Sequence, residues 1–162
     1  GLATQTEGCV VDDAKGLLYI GEEGRGVWRY ALDPAQTGGT LIAQAPSAML
    51  KPDVEGLTLL REGPASYLIA SSQGDSAFAL WRVDGVEPQY KGRFSVHGAN
   101  GADPVTGTDG VAALGGPVGP FPEGLVVMQD DSDTDGEHPR AGRDRQNFKL
   151  VDWREVKKAL GL

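Results

Sequence analysis

Short apolar runs alternate with turn residues along the whole chain, and the arrangement repeats with a period of about 50 residues. Each repeat opens with an acidic residue followed by glycine, at Glu7-Gly8, Glu55-Gly56 and Asp109-Gly110. The runs are about four to seven residues long and carry β-branched and aromatic residues, which favours strands over helices. A repeat of this length that is built only from short strands is typical of β-propeller blades.

The same pattern predicts four strands in each of the first two repeats and three in the third. The predicted strands are 9–12, 17–21, 27–31, 40–44, 56–60, 67–71, 78–83, 90–96, 111–114, 125–129 and 147–151. We therefore expect an all-β chain in which residues 1–162 form a single partial β-propeller domain. Its blades are predicted at about 1–50, 51–100 and 101–152.

The pattern changes at the C terminus, where a short helix is predicted over residues 152–161. Asp152 is a suitable N-cap, and Glu155 follows it at the capping-box spacing. Gly161 can end the helix in a left-handed conformation. We expect this helix to cover an edge of the sheet array.

Three blades do not close a ring. Open ends of a propeller leave strand edges and an apolar blade face in contact with water. We therefore expect a missing N-terminal half, or a second copy of the chain, to supply the rest of the ring. The sequence starts at Gly1 without an initiator methionine or a signal peptide, so we interpret it as a fragment or a processed form.

Composition narrows the classes of function. The formal net charge is −8 and no basic patch is present, which argues against nucleic-acid binding. No apolar stretch is long enough to span a membrane. Cys9 is the single cysteine, so the sequence offers no intrachain disulfide and no cysteine-based zinc site. Its apolar surroundings predict a buried position.

The carboxylates suggest a cation site. Because the innermost strands of propeller blades run the same way around the channel, Glu7, Glu55 and Asp109 are expected to meet at one mouth. Further carboxylates near these positions are Glu22, Glu23, Asp53 and Asp103. Repulsion opposes such a cluster unless a cation is bound, and oxygen ligands without His or Cys select Ca²⁺. The alternative is that acid-glycine pairs only begin strands with a favourable turn.

A second acidic stretch covers residues 130–137. It has the D-x-D-x-D-G spacing of a calcium loop between Asp131 and Gly136. The twelfth position is Gly142 rather than Glu, and no helices flank the loop, so a complete EF-hand is not expected. A calcium-holding loop and a solvated acidic loop both remain possible from the sequence.

Several segments resemble the C-terminal half of the β-propeller phytases. They are Gln5-Thr6-Glu7-Gly8-Cys9, Leu18-Tyr19-Ile20-Gly21-Glu22-Glu23, Pro52-Asp53-Val54-Glu55-Gly56-Leu57, Ala70-Ser71-Ser72-Gln73-Gly74, Thr108-Asp109-Gly110 and Gln146-Asn147-Phe148-Lys149. The resemblance covers nearly the whole chain in order. It implies a six-bladed propeller, a secreted or periplasmic location, and calcium-dependent hydrolysis of phosphate esters of phytate or other inositol phosphates.

The resemblance also implies roles for individual residues. Matched by position, the active-site calcium ligands are Glu7, Glu23, Asp53, Glu55 and Asp109, with Asp103 as a further candidate. Asp130 falls in the region of a structural calcium site. A carboxylate-bound, calcium-polarised water would attack phosphorus, and Glu7, Glu55 and Asp109 are the catalytic candidates that would hold that site.

This chain departs from the family pattern in two respects. The N-terminal half is absent, with its Asp-Asp-Pro-Ala-[Ile/Leu]-Trp motif and most of the phosphate-binding Lys and Arg residues. The loop at 131–145 is longer and more acidic than in most members. Two alternatives follow, a non-catalytic calcium-stabilised propeller segment that binds a ligand or partner, and a calcium-dependent lactonase-type propeller. Basic residues facing the acidic mouth favour a phytase, and an apolar mouth favours a lactonase.

Overall fold

The computed structural model describes residues 4–99, 101–134 and 146–162. Within these ranges the chain forms eleven β-strands, one short 3-10 turn and one α-helix. The strands and the helix are β1 (Thr6–Asp12), β2 (Leu17–Glu22), β3 (Gly26–Ala31), β4 (Thr40–Gln44), β5 (Val54–Glu62), β6 (Ala65–Ser72), β7 (Ala77–Arg82), β8 (Gln89–Phe94), β9 (Val111–Gly115), β10 (Gly124–Asp130), β11 (Asn147–Asp152) and α1 (Trp153–Leu160).

The strands form three antiparallel sheets of consecutive strands. Sheet 1 has the order β1-β2-β3-β4, sheet 2 the order β5-β6-β7-β8, and sheet 3 the order β11-β10-β9. The predicted all-β class, the strand number of each repeat and the C-terminal helix are therefore confirmed for the described residues. None of these sheets closes on itself, so the propeller remains a prediction.

The first strands of sheets 1 and 2 begin earlier than the sequence predicts. β1 begins at Thr6 and β5 at Val54, because each contains a β-bulge over its acid-glycine pair. The register shifts between Thr6 and Cys9 in β1, and between Val54 and Leu57 in β5. A bulge breaks the alternation of side chains and redirects the bulged residues.

Sheet 2 lies between the other two sheets and is buried on both faces. One apolar cluster joins it to sheet 1 and contains Tyr19, Leu68 and Trp81. The other joins it to sheet 3 and α1 and includes Met128 and Trp153. This position explains why β6 and β7 are almost continuously buried instead of alternating.

The outward faces of sheets 1 and 3 carry exposed apolar side chains. Val11 is 46% exposed on β1, and Phe148 is 66% exposed on β11. Cys9 shares the outward face of β1 with Val11 and is also exposed. The prediction that Cys9 is buried was wrong, because strand alternation turns it away from sheet 2.

The helix α1 is capped as predicted. The carboxylate of Asp152 accepts a hydrogen bond from the backbone N–H of Arg154 at 2.9 Å. Gly161 ends the helix with a φ of 67°. In the described part of the chain, no helix combines the length and the apolar character that a membrane crossing requires.

The glycines of the acid-glycine pairs allow the first strands of neighbouring sheets to touch. A Cβ on Gly8 would lie 2.3 Å from the carbonyl oxygen of Glu55, and one on Gly56 would lie 2.5 Å from that of Asp109. The N–H of Gly56 donates to this Asp109 carbonyl at 2.7 Å. A side chain at either position would separate the strands and their acidic residues.

We expect the substitution Gly56→Ala to destabilise the chain by about 1–3 kcal/mol, because the added methyl group meets backbone atoms. Gly110→Ala is the matched control, since a Cβ there has its nearest neighbour at 3.9 Å. We expect the control to change stability by less than about 0.5 kcal/mol. Urea unfolding of both variants measures the difference, and equal stabilities would contradict the close contact at Gly56.

Candidate functional site

The acid-glycine pairs of all three sheets line one cavity, which we call the acidic cavity. It has a volume of about 380 Å³ and is lined by Glu7, Gly8, Cys9, Glu55, Gly56, Leu57, Asp109, Gly110 and Val111. The structure thus brings together the three carboxylates that the sequence predicts at one mouth. The two bulges and the close glycine contacts place them there.

Glu55 is the most buried carboxylate of the acidic cavity, with 8% of its surface exposed. Burial, followed by repulsion from neighbouring carboxylates, raises the pKa of Glu55 to about 7. Those neighbours are Glu7, Asp109, Glu23 and Asp53. Glu23 and Asp53 are therefore close enough to act on the cavity electrostatically.

Among the described residues, nothing neutralises these carboxylates. The side chain of Glu55 makes no hydrogen bond or ion pair with any described residue. No described Lys or Arg forms an ion pair with Glu7, Glu23, Asp53 or Asp109. The carboxylates of the cavity offer oxygen ligands, a chemistry that suits a hard cation such as Ca²⁺ or Mg²⁺.

The carboxylates line one cavity but are not arranged as a metal site as they stand. In the described part of the chain, no three His, Cys, Asp or Glu side chains are arranged so that they could hold a metal ion. Cation binding at the acidic cavity would therefore require side-chain movement. Asp109 and Glu7 are exposed enough to make such a movement.

Two glutamines hold the carboxylates by their amide groups. The Nε2 of Gln5 donates to an oxygen of Glu7 at 3.1 Å and to one of Glu23 at 3.2 Å. The Nε2 of Gln73 donates to Oδ1 of Asp109 at 2.5 Å. These contacts link β1 to the end of β2, and the end of β6 to the residue before β9.

A third glutamine holds the backbone of Asp109. The Oε1 of Gln129 accepts the Asp109 N–H at 2.7 Å, while the buried Nε2 of Gln129 has no hydrogen-bond partner among the described residues. The roles of Gln5, Gln73 and Gln129 are not among those predicted from the sequence. The available signal was their position, since each stands at a strand end close to a predicted acidic ligand.

Asp103 and Asp130 lie close to each other and do not line the acidic cavity. Both bind the ammonium of Lys149, whose Nζ lies 2.6 Å from Oδ1 of Asp103 and 2.7 Å from Oδ2 of Asp130. Burial would lower the pKa of Lys149, but its hydrogen bonds to the two carboxylates outweigh burial and raise it. We call these three residues the lysine cluster.

Glu22 also points elsewhere. Its carboxylate accepts a hydrogen bond from Nε1 of Trp28 at 2.8 Å and pairs with Arg25 at 3.3 Å. From the sequence, Glu22 is expected among the carboxylates near the mouth. The structure assigns that position to the next residue, Glu23, which shares the amide of Gln5 with Glu7.

The predicted calcium loop at 130–137 falls partly outside the described residues, which stop at Thr134 and resume at Gln146. Within them, the carboxylate of Asp131 accepts a hydrogen bond from Nε2 of Gln146 at 2.8 Å. Gly136 and Gly142 are not described. A calcium-holding loop at this position therefore stays a prediction.

Two comparisons with known proteins find similarity along essentially the whole chain. The model of the family described as Phytase matches residues 1–162. The chain is also 35% identical over 163 residues to the 3-phytase of Bacillus subtilis (strain 168). That alignment covers 99% of this chain and 41% of the relative, so the chain spans less than half of the relative's length.

Proposed function

Because the chain belongs to the phytase family, we propose that it forms part of a calcium-dependent hydrolase that removes phosphate from phytate or other inositol phosphates. The acidic cavity carries this proposal. It is lined by carboxylates from three sheets. Among the described residues, no Lys or Arg side chain balances their negative charge. A secreted or periplasmic location is part of the same proposal and rests on the family resemblance alone.

We propose that the three sheets are blades of a six-bladed propeller. Their first strands lie side by side, since β5 contacts both β1 and β9. The outward faces of sheets 1 and 3 keep side chains such as Val11 and Phe148 exposed, and such faces are costly in water. A missing N-terminal half would cover both faces and complete the ring. A second copy of the chain is the alternative.

The residues of the acidic cavity have distinct parts in the proposed reaction. Glu7, Glu55 and Asp109 would hold calcium and accept hydrogen bonds from the attacking water. Bound there, calcium would neutralise phosphate charge and polarise that water. Glu23 and Asp53 would complete the oxygen ligands.

The positions of these carboxylates depend on neighbouring amides. Gln5 and Gln73 fix the orientations of Glu7, Glu23 and Asp109 by hydrogen bonds. Gln129 fixes the backbone of Asp109. Because no three described carboxylates are arranged to hold a metal ion as they stand, these hydrogen bonds would rearrange when a cation binds.

One observation favours a second candidate function for the chain by itself. The residues that line the acidic cavity include no Lys or Arg. Groups that could position a highly charged substrate are therefore not supplied by this lining. Alone, the chain fits a non-catalytic calcium-stabilised segment that binds a ligand or partner. The family match argues against a lactonase-type propeller.

We expect this chain alone to release little or no phosphate from phytate, because positioning the phosphates needs fixed cations as well as calcium. A longer protein that includes the N-terminal half is expected to release phosphate in a calcium-dependent way at near-neutral pH. Phosphate release by both proteins, at equal concentration with calcium or a chelator, measures this. Strong phosphate release by the monomeric chain alone would contradict the expectation that the N-terminal half is required. An inactive longer protein would support the non-catalytic function.

A further inference from the structure

The carboxylate of Asp130 is fully buried, and both of its oxygen atoms are used by donors of the chain. Its Oδ1 accepts hydrogen bonds from the N–H of Thr106 at 2.9 Å and from the Thr106 hydroxyl at 3.2 Å. Its Oδ2 accepts from Nδ2 of Asn147 at 3.2 Å and from Nζ of Lys149 at 2.7 Å. No oxygen of Asp130 is left for another cation.

Asp103 also has a donor at each of its two oxygen atoms, with one contact at each. It is 7% exposed, its Oδ2 accepts from the N–H of Thr134 at 2.8 Å, and its Oδ1 lies 2.6 Å from Nζ of Lys149. The four carboxylate oxygens of the lysine cluster therefore all face hydrogen-bond donors. A metal ion cannot take a place that an N–H group already occupies unless that group moves away.

The ammonium of Lys149 is itself saturated. It has three N–H donors, and it lies within hydrogen-bond distance of three oxygen atoms. The third is Oδ1 of Asn147, at 2.6 Å, and the Lys149 side chain is only 12% exposed. Three oxygen atoms therefore surround the ammonium of Lys149, a cation that the protein itself supplies.

The acidic cavity offers the opposite arrangement. Its central carboxylate, Glu55, has no hydrogen bond or ion pair with the described residues and is surrounded by like charges. The two clusters both contain acidic residues that resemble metal ligands, but only the acidic cavity lacks a positive charge from the described chain. Like charges that lack a counter-ion attract a cation, whereas a saturated cluster does not.

We propose that Lys149 is the resident cation of the cluster formed by Asp103 and Asp130, and that neither carboxylate binds a divalent metal while Lys149 is present. The cluster then joins β10 and β11 to the segment before β9 by the protein's own charges. This assigns Asp103 and Asp130 a different role from the one that the family resemblance implies. The companion statement, that divalent cations bind at the acidic cavity, rests on the proposed function.

A substitution of Lys149 should turn the cluster into a metal site. Lys149→Met keeps most of the side-chain volume and removes the ammonium, which leaves two buried carboxylates without a counter-ion. Asp103 and Lys149 also line a second cavity of about 650 Å³, so an ion from solvent can reach the cluster. Lys149→Arg, which keeps a positive charge, is the conservative control.

Calcium titration calorimetry on the purified chain tests the proposal. We expect Asp103→Asn to bind as many calcium ions as the wild type, and Lys149→Met to bind at least one more. The rise in melting temperature from EDTA to calcium should also be larger for Lys149→Met than for the wild type or Lys149→Arg. Loss of a calcium ion in Asp103→Asn, with Lys149 intact, would overturn the proposal. No additional calcium in folded Lys149→Met would also overturn it.

The remaining outcomes separate this proposal from the proposed function. A wild-type chain that binds no calcium, together with a calcium-binding Lys149→Met, supports the lysine cluster and contradicts the acidic cavity as a calcium site. Folding of Lys149→Met only in calcium also supports the lysine cluster. If Lys149→Met stays unfolded with and without calcium, the calcium stoichiometry of Asp103→Asn decides alone.

Discussion

Replacing Trp153 with alanine is expected to lower the free energy of unfolding by about 3–5 kcal/mol. Trp153 opens α1 and is fully buried, and its ring packs against Tyr67 with centroids 5.2 Å apart. Its Nε1 donates to the carboxylate of Glu62 at 3.2 Å. The substitution removes the apolar contacts that join α1 to sheets 2 and 3, and it leaves a cavity.

Urea unfolding of the chain measures this loss, and Phe148→Ala is its matched control. Phe148 is also aromatic and belongs to the strand before α1, but it is 66% exposed. We expect the control to change stability by less than about 0.5 kcal/mol in this chain. A loss below about 1 kcal/mol in Trp153→Ala would contradict the role of α1 in the core.

The elements of the fold could largely be predicted from the sequence, because their signals are local. Turn residues separate the strands, and Asp152 and Gly161 mark the ends of α1. The early starts of β1 and β5 were missed, since a bulge at an acid-glycine pair interrupts the alternation on which the prediction depends.

Burial was harder to predict, because it depends on which sheets become neighbours. Cys9 stands in an apolar run but faces away from sheet 2, so it is exposed. The middle sheet is buried on both faces, and a strand such as β6 has no alternation that would reveal this. Neither fact follows from a single repeat.

The candidate site could be predicted in part. The threefold repetition of the acid-glycine pair places Glu7, Glu55 and Asp109 together, and the structure brings them to one cavity. The partners of Asp103 and Asp130 could not be predicted, because Lys149 reaches them from another strand. Acidic residues that look alike in sequence therefore differ in their surroundings, because only Asp103 and Asp130 have a nearby lysine.

Calcium is expected to raise the melting temperature of the chain, because the acidic cavity collects carboxylates without a balancing charge from the described residues. A ligand that binds only the folded state stabilises it by RT ln(1 + [L]/Kd). This is about 2.7 kcal/mol at a hundredfold excess over Kd and about 4.1 kcal/mol at a thousandfold excess. For a chain of this size, the first value corresponds to a rise of roughly 5–10 °C.

The substitution Glu55→Gln should reverse the order of stability between the two conditions. In EDTA the variant is expected to melt at or above the wild-type temperature, because it loses a buried charge that its neighbours repel. In calcium it should melt below the wild type, since a neutral amide is a weaker calcium ligand than a carboxylate. Glu87→Gln is the control, because the Glu87 side chain is 73% exposed and, among the described residues, pairs only with Arg29. Calorimetry in millimolar calcium and in excess EDTA measures all three proteins. Identical wild-type curves would contradict a calcium site, and an equal calcium effect in Glu55→Gln would exclude Glu55 as a ligand.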